Sequence, residues 1–440
     1  MDNAPRAAAP DAAPPSTKTQ IFATVIGNAL EWYDFTIYGT FAVTISHLFF
    51  PPGSDLVALL STLAIFGVAY VLRPVGGLVF GHFADVWGRR TVLYTIIGSM
   101  TLGLALLSFT PTYATIGIAA PVILLIARMI QGFSVGGEYS TATTFLVEHA
   151  PPGRRFLYGS WQFAGQGAAI MLGGIIGSLV SRGLTPETLQ AWGWRVPFII
   201  GLIIGPVGFY MRRRLEETPE FVARQRVGQA ARTIPAVDAF ASYKARILAG
   251  LCLTFGGTAS FYVLFLVMPT YAIRTLHLGV QASFVAPLVG GTCMMIGAPI
   301  GGLLSDRLGR RPMMIVPLGL LLLLILPAFT WLAADPSVWR MALVEFVLSS
   351  ILGLYAGVVG TAVADLFPVG VRATGMTIAY NVGVGTFGGF APLIVTWLVA
   401  TTGSPLAPAY YDLAGLAIAF VTSLLWPKPY AEVTTSAVPA

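Results

Sequence analysis

Two stretches of this chain spell the same pattern, G-x-x-x-D-x-x-G-R-R: Gly81-His-Phe-Ala-Asp85-Val-Trp-Gly88-Arg89-Arg90 and Gly302-Leu-Leu-Ser-Asp306-Arg-Leu-Gly309-Arg310-Arg311. They stand 221 residues apart (306 minus 85), half the length of the 440-residue chain, and each is flanked by long apolar segments. A second marker repeats at nearly the same offset: Glu148…Arg155 and Asp365…Arg372 are acid–basic pairs seven apart, displaced by 217 residues (365 minus 148). Polar loops duplicated at matching points of two hydrophobic halves imply a membrane protein made of two related bundles.

The apolar segments settle the class of structure. Runs of about 20 residues recur from Gln20 to Pro427, each long enough to cross about 30 Å of hydrocarbon as a helix. Only 10% of the residues are charged and mean hydropathy is +0.78, so a water-facing surface all round is excluded. Backbone groups in lipid must pair internally, and ten-residue alternation is absent, so helices are expected rather than a barrel. Twelve spans are predicted, at 20–50, 56–80, 91–109, 115–147, 156–181, 191–211, 244–273, 281–304, 312–333, 338–365, 373–401 and 407–426. The expected organisation is a disordered cytoplasmic tail 1–19, a six-helix bundle 20–211, a cytoplasmic connector 212–243, a second bundle 244–427 and a tail 428–440.

The net charge of +6 does not point to nucleic acid, because the basic residues are sorted by side. The tails and alternate loops hold 19 of the 25, the opposite loops only Arg182, Arg274 and Arg340. That asymmetry puts both termini in the cytoplasm. Arg73, Arg128 and Arg195 fall within or at the ends of spans, with Arg128 read as the one clearly mid-membrane cation. Cys252 and Cys293 lie in different spans and read as small buried hydrophobes, leaving no metal site or cofactor expected.

Charges inside spans carry the chemistry. A charged side chain at the bilayer centre costs about 2.5–3.5 kcal/mol on insertion scales, so such groups are expected to face an interior cavity. Asn28, Glu31, Asp34 and Tyr38 form a polar stripe on the first span. Arg128, Gln131 and Glu138 share the fourth. The expected roles are Arg128 gripping a substrate carboxylate, Gln162 and Gln166 of the fifth span donating to it, and Glu31, Asp34 or Glu138 carrying a proton, the first two ranked ahead. The rival reading of Arg128 is a structural ion pair with Glu138 or Asp34. Tyr262, Tyr355, Tyr380 and Asn381 are further candidates from the second half, each equally readable as interhelical packing, and Glu345 is one more buried acid. The four histidines lie at span ends or in loops, which disfavours a histidine relay. Gly132-Phe-Ser134-Val-Gly136 and Gly383-Val-Gly385-Thr-Phe-Gly388 mimic hydrolase and nucleotide-binding patterns but sit inside spans, without the strand each requires.

The doubled loop resembles the cytoplasmic signature of the major facilitator superfamily. Glu31-Trp32-Tyr33-Asp34-Phe35, Leu72-Arg73-Pro74, Gln131-Gly132 with Gly136-Gly137-Glu138-Tyr139, Trp192-Gly-Trp194-Arg195-Val-Pro197-Phe198 and Glu216-Glu-Thr-Pro-Glu220 narrow the resemblance to its metabolite:proton symporter branch. Within that branch the chain looks most like carriers of citrate and α-ketoglutarate, on Pro111–Pro121, Gly256–Tyr262 and Phe387–Pro392. The resemblance implies a twelve-helix fold with inverted 3+3 repeats in each half and alternating access. It implies a cytoplasmic gate made of Gly81, Asp85, Gly88, Arg89 and Arg90 with Asp306, Gly309, Arg310 and Arg311. The expected partners are a small organic anion, protons and membrane lipid, with the chain a monomer in a bacterial inner membrane. A carrier of a zwitterionic osmolyte or of shikimate is the runner-up, and a transport-dead receptor on the same fold is the rival of a different class.

Overall fold

The computed structural model describes residues 17–87, 89–136, 138–212, 236–368 and 372–425. The chain is all-α over these residues: α1 Thr17–Thr40, α2 Ala42–Phe49, α3 Asp55–Trp87, α4 Arg89–Phe109, α5 Ala119–Val135, α6 Glu138–Glu148, α7 Arg155–Gly183, α8 Arg195–Arg212, α9 Ala236–Tyr262, α10 Met268–Arg274, α11 Val285–Leu308, α12 Arg310–Ala334, α13 Val338–Ala364, α14 Arg372–Gly383, α15 Ala391–Thr402 and α16 Ala407–Leu424. Among the described residues, eight helical stretches are long and apolar enough to cross a membrane.

Burial is inverted relative to a water-soluble protein. Val71, Leu78, Ile203, Leu323, Trp339 and Phe346 are exposed, whereas Glu31, Asp34, Arg73, Arg128, Gln162 and Gln166 are buried. Apolar side chains outside and ion pairs inside suit a hydrocarbon surround, since lipid rewards no interior apolar burial and penalises an outward charge.

Several spans are bent or broken where the sequence read them as continuous. Wide-turn segments at Val263–Val267 and Val384–Gly389 join α9 to α10 and α14 to α15. Within the expected fourth crossing, α5 ends at Val135 and α6 starts at Glu138. Conversely, α3 runs straight through Pro74 to Trp87, seven residues past the expected span end. Local shifts to wide turns absorb the missing N–H of proline or the bulk of a neighbour.

Glycines set how closely the helices approach. A Cβ on Gly132 would collide with the carbonyl of Ala69, one on Gly136 with that of Arg73, and one on Gly76 with that of Phe133. The hydrolase-like Gly132…Gly136 pair is therefore the seat of α3 on α5. Across the halves, Gly167 of α7 and Gly291 of α11 abut reciprocally: each would press its Cβ against the other's carbonyl oxygen at 2.8 Å. At the 221-residue offset their counterparts are Gly388 and Tyr70, and there the contact is padded, with the Tyr70 ring against Gly389.

Candidate functional site

The polar stripe expected on α1 is present, and each acid on it holds an arginine. Asp34 Oδ2 accepts from Nη1 of Arg128 at 2.9 Å. Glu31 Oε1 lies 3.0 Å from Nη2 of Arg73. All four side chains are nearly inaccessible, Arg73 and Glu31 at 2% and 1%. The α3–α5 glycine contact brings the two arginines onto one helix, α1.

Arg128 is thus not the lone mid-membrane cation. Sequence reasoning left Arg73, next to Pro74, within or at the end of a span and gave it no role. Since α3 continues through that proline, residue 73 falls near the middle of a 33-residue helix. A single ring separates the two pairs: Phe35 lies 4.7 Å from the guanidinium of Arg73 and 5.5 Å from that of Arg128. Cation–aromatic attraction in a desolvated site contributes to holding both.

Between the halves is a cavity of about 40 Å³, room for a few waters and too small for a metabolite. Trp32, Gln166 and Tyr139 line it from one half, and Tyr262, Tyr355 and Tyr380 from the other. Asn28 stands behind Gln166, its Oδ1 accepting from Nε2 at 3.2 Å. Tyr355 Oη donates to the Leu253 carbonyl at 2.9 Å. Tyr380 stacks on Tyr139 with ring centroids 3.5 Å apart and planes 5° from parallel, so the cavity's base is a pair of rings, one from each half.

The remaining candidates sit elsewhere. Arg128 does not line this cavity; its guanidinium lies 3.9 Å over the ring of Tyr38. Gln131 packs against Gly103 of α4. Gln162 is buried with neither amide atom hydrogen-bonded. Asn381 Nδ2 donates to the Gly136 carbonyl at 2.6 Å, tying α14 to the α5–α6 break. Glu138 opens α6 and is buried. Two further buried acids stand in the second half. Glu345 accepts from Ser349 at 3.0 Å, and Asp412, which sequence reasoning missed, accepts from Ser260 at 2.7 Å. The signal for Asp412 was available, an acid inside the twelfth span.

Of the doubled loop, the first copy (Gly81, Asp85, Gly88, Arg89, Arg90) lies outside the described residues or has side chains that are not described. The second copy is an anchor between halves. Asp306 accepts from the backbone N–H groups of Phe156 and Leu157 at 3.0 and 2.9 Å, at the N-terminus of α7, where a carboxylate is favoured by the exposed donors and the helix dipole. Gly309 takes φ +87°, closing the turn into α12. Arg310 approaches Asp365 at 3.5 Å and Arg311 donates to the Leu424 carbonyl at 3.0 Å. The halves also meet at the opposite end, where Phe41 packs on Phe284 at 5.3 Å. The halves thus touch on both sides of the cavity.

Residues 20–239 match the family described as "Sugar (and other) transporter", and residues 289–439 the one described as "Major Facilitator Superfamily". A citrate-proton symporter of Klebsiella pneumoniae is 38% identical over 388 residues, 88% of this chain and 86% of that one. A proline/betaine transporter of Escherichia coli (strain K12) is 33% identical over 431 residues, 96% and 85% of the two chains. Among solved structures, a D-xylose-proton symporter superposes with TM-score 0.70 over 93% of this chain and 96% of its own, at 16% identity, a likeness of fold alone.

Proposed function

The chain belongs to the major facilitator superfamily, and from that membership we propose that it is a proton-coupled symporter importing an organic anion. The anion is a di- or tricarboxylate such as citrate or α-ketoglutarate, and the halves expose the site to each side in turn. The observation that carries this reading is the pair of buried carboxylate–guanidinium contacts on α1, beside a cavity lined by both halves.

Such a pair is an exchangeable site. A guanidinium binds a carboxylate through paired N–H donors, and a substrate carboxylate can stand in for the side chain that holds it. The displaced acid, now buried without its counter-ion, is driven to take a proton. In this reading Arg128 trades Asp34 for substrate when the halves part. Asn28, Gln131, Gln162, Gln166, Tyr262, Tyr355, Tyr380 and Asn381 supply the remaining hydrogen bonds. Proton uptake falls to Glu31, Asp34 or Glu138.

The direction of coupling agrees with membrane energetics. Each negative charge moved inward costs about 2.3 kcal/mol per 100 mV of inside-negative potential, and accompanying protons cancel that cost.

A second reading has its own support, the 33% identity to a proline/betaine transporter across nearly the whole chain. Zwitterions carry a carboxylate too, so the same site would serve them. Uptake of radiolabelled citrate, α-ketoglutarate, shikimate and betaine into proteoliposomes at pH 6 and 8 separates the two. Acid-stimulated accumulation of a carboxylate is the expected result. Betaine uptake alone would transfer the chain to the osmolyte carriers, and binding without uptake would make it a receptor.

A further inference from the structure

The two ion pairs differ in what stands between them and the cavity. The Arg73 guanidinium lies 4.1 Å from the ring centroid of Tyr70 and 6.0 Å from that of Trp32. Trp32 is itself cavity wall, and Tyr70 packs at 5.7 Å on Tyr262, which is wall as well. One layer of rings therefore separates Arg73 from the place where substrate would sit. Arg128 is packed over Tyr38 and Phe35, neither of which reaches the cavity. Arg73 also has unused capacity. Its Nε is buried without a hydrogen-bond partner, a capacity it shares with Arg128, so position relative to the cavity is what separates the two.

We propose that Arg73 is the carboxylate-binding cation nearest the cavity and that Glu31 is the acid that takes the coupled proton when a substrate carboxylate displaces it. This rests on the reading of the chain as a proton-coupled anion carrier and assigns that activity to one pair. The exchange balances. One carboxylate joins Arg73, one leaves it, and the leaving carboxylate gains one proton from water, so the charge of the site is unchanged. By linkage the two events strengthen each other: a proton on Glu31 frees Arg73, and an anion on Arg73 raises the affinity of Glu31 for a proton.

The groups facing Glu31 come from two other helices, Arg73 and Tyr70 of α3 and Tyr380 of α14, while Tyr262 of α9 faces Arg73 and Tyr70. Tyr139 of α6 stacks on Tyr380, Glu138 begins α6, and on α1 Asp34 is held by Arg128. The tyrosines bear no carboxylate to be displaced, and Asp34 is paired with Arg128, which does not reach the cavity. Glu31 is therefore the acid whose counter-ion a ligand in the cavity can take.

The test uses the purified full-length protein and whichever of citrate, α-ketoglutarate, shikimate or betaine the wild type accumulates. If the wild type accumulates none, the symport reading fails first and separately. The wild type is expected to bind the probe about tenfold more weakly for each pH unit above the titration of Glu31, the slope of one linked proton. Glu31→Gln is expected to bind with an affinity flat from pH 6 to 8. It should exchange labelled for unlabelled probe across proteoliposomes, and lose accumulation driven by a pH gradient. Arg73→Lys, which keeps the charge but not the fork, is expected to weaken binding tenfold or more. Glu31→Gln/Arg73→Gln removes both charges and so leaves no orphan in the core. It should elute as a folded monodisperse species without measurable binding. Acid-driven accumulation by Glu31→Gln, or wild-type affinity in Arg73→Lys or the double variant, overturns the assignment.

Discussion

Arg155 and Asp365 come from opposite halves of the chain and stand 3.0 Å apart. Arg372 and Glu148 make the matching contact at 3.2 Å. Each acid lies seven residues before a basic residue in its own half, yet the fold exchanges these partners, so both contacts cross the seam. The exchange follows from the duplicated sequence: two halves facing each other about a pseudo-two-fold axis place like loops opposite one another.

These pairs are partly exposed, with Arg155 and Glu148 at 45% and 43%, so each contributes about 0.2–1 kcal/mol. Reversing Glu148 and Asp365 together to Arg is expected to favour opening on this face several-fold without unfolding the protein. A cysteine replacing buried Thr361, in a background lacking Cys252 and Cys293, should then react faster with a thiol reagent added from the side the basic residues assign to the cytoplasm. Unchanged labelling rates would show that the pairs do not hold this face shut.

The Asp34–Arg128 pair is expected to behave differently because it is sealed. Arg128→Ala leaves a buried carboxylate uncompensated, which costs about 3–5 kcal/mol. Thermal unfolding in detergent should show a clear loss for Arg128→Ala, largely recovered in Asp34→Asn/Arg128→Gln, while uptake stays absent in both. Uptake at the wild-type rate in the double variant would remove this pair from the transport cycle.

Gly132 and Gly136 offer no room for a side chain against the carbonyls of Ala69 and Arg73. Gly136→Ala is expected to push α3 off α5, with overpacking costs of about 1–3 kcal/mol or more, and to displace Arg73 from Glu31. Binding of the transported anion should fall by more than stability does. Equal losses in the two would mean the glycine serves packing only.

The Tyr139–Tyr380 stack closes the cavity's base. Tyr380→Phe keeps the ring and should transport nearly normally. Tyr380→Ala removes it, and proteoliposomes bearing that variant are expected to lose accumulated substrate faster once the gradient is collapsed. Equal efflux from Tyr380→Ala and Tyr380→Phe would assign the closure to other residues.

Much of this arrangement was legible beforehand because lipid makes sequence unusually explicit. A carboxylate amid apolar residues has few places to go, and so Glu31, Asp34 and Arg128 stood out. Tyr262, Tyr355, Tyr380 and Gln166 do line the cavity as polar groups inside spans. Arg73 was noted within a span but given no role, because its pairing with Glu31 depends on how α3 seats on the glycines of α5, which spacing along one helix does not disclose. Gln131 does stand beside Asp34, whereas the bond of Asn381 to the Gly136 carbonyl was out of reach, because spacing assigns a residue to a helix face without saying which neighbour that face meets. The wide turns at Val263–Val267 and Val384–Gly389 shift that face mid-span, and no periodicity forecasts the shift.

The contact of Gly167 with Gly291 sets a limit on leakage. Two main chains resting directly on one another have no intervening side chain to compress or reorient, so their separation is fixed while their angle is free. A rocking carrier hinged there must narrow one mouth as it widens the other, and a continuous water path through both would require prising the hinge itself apart.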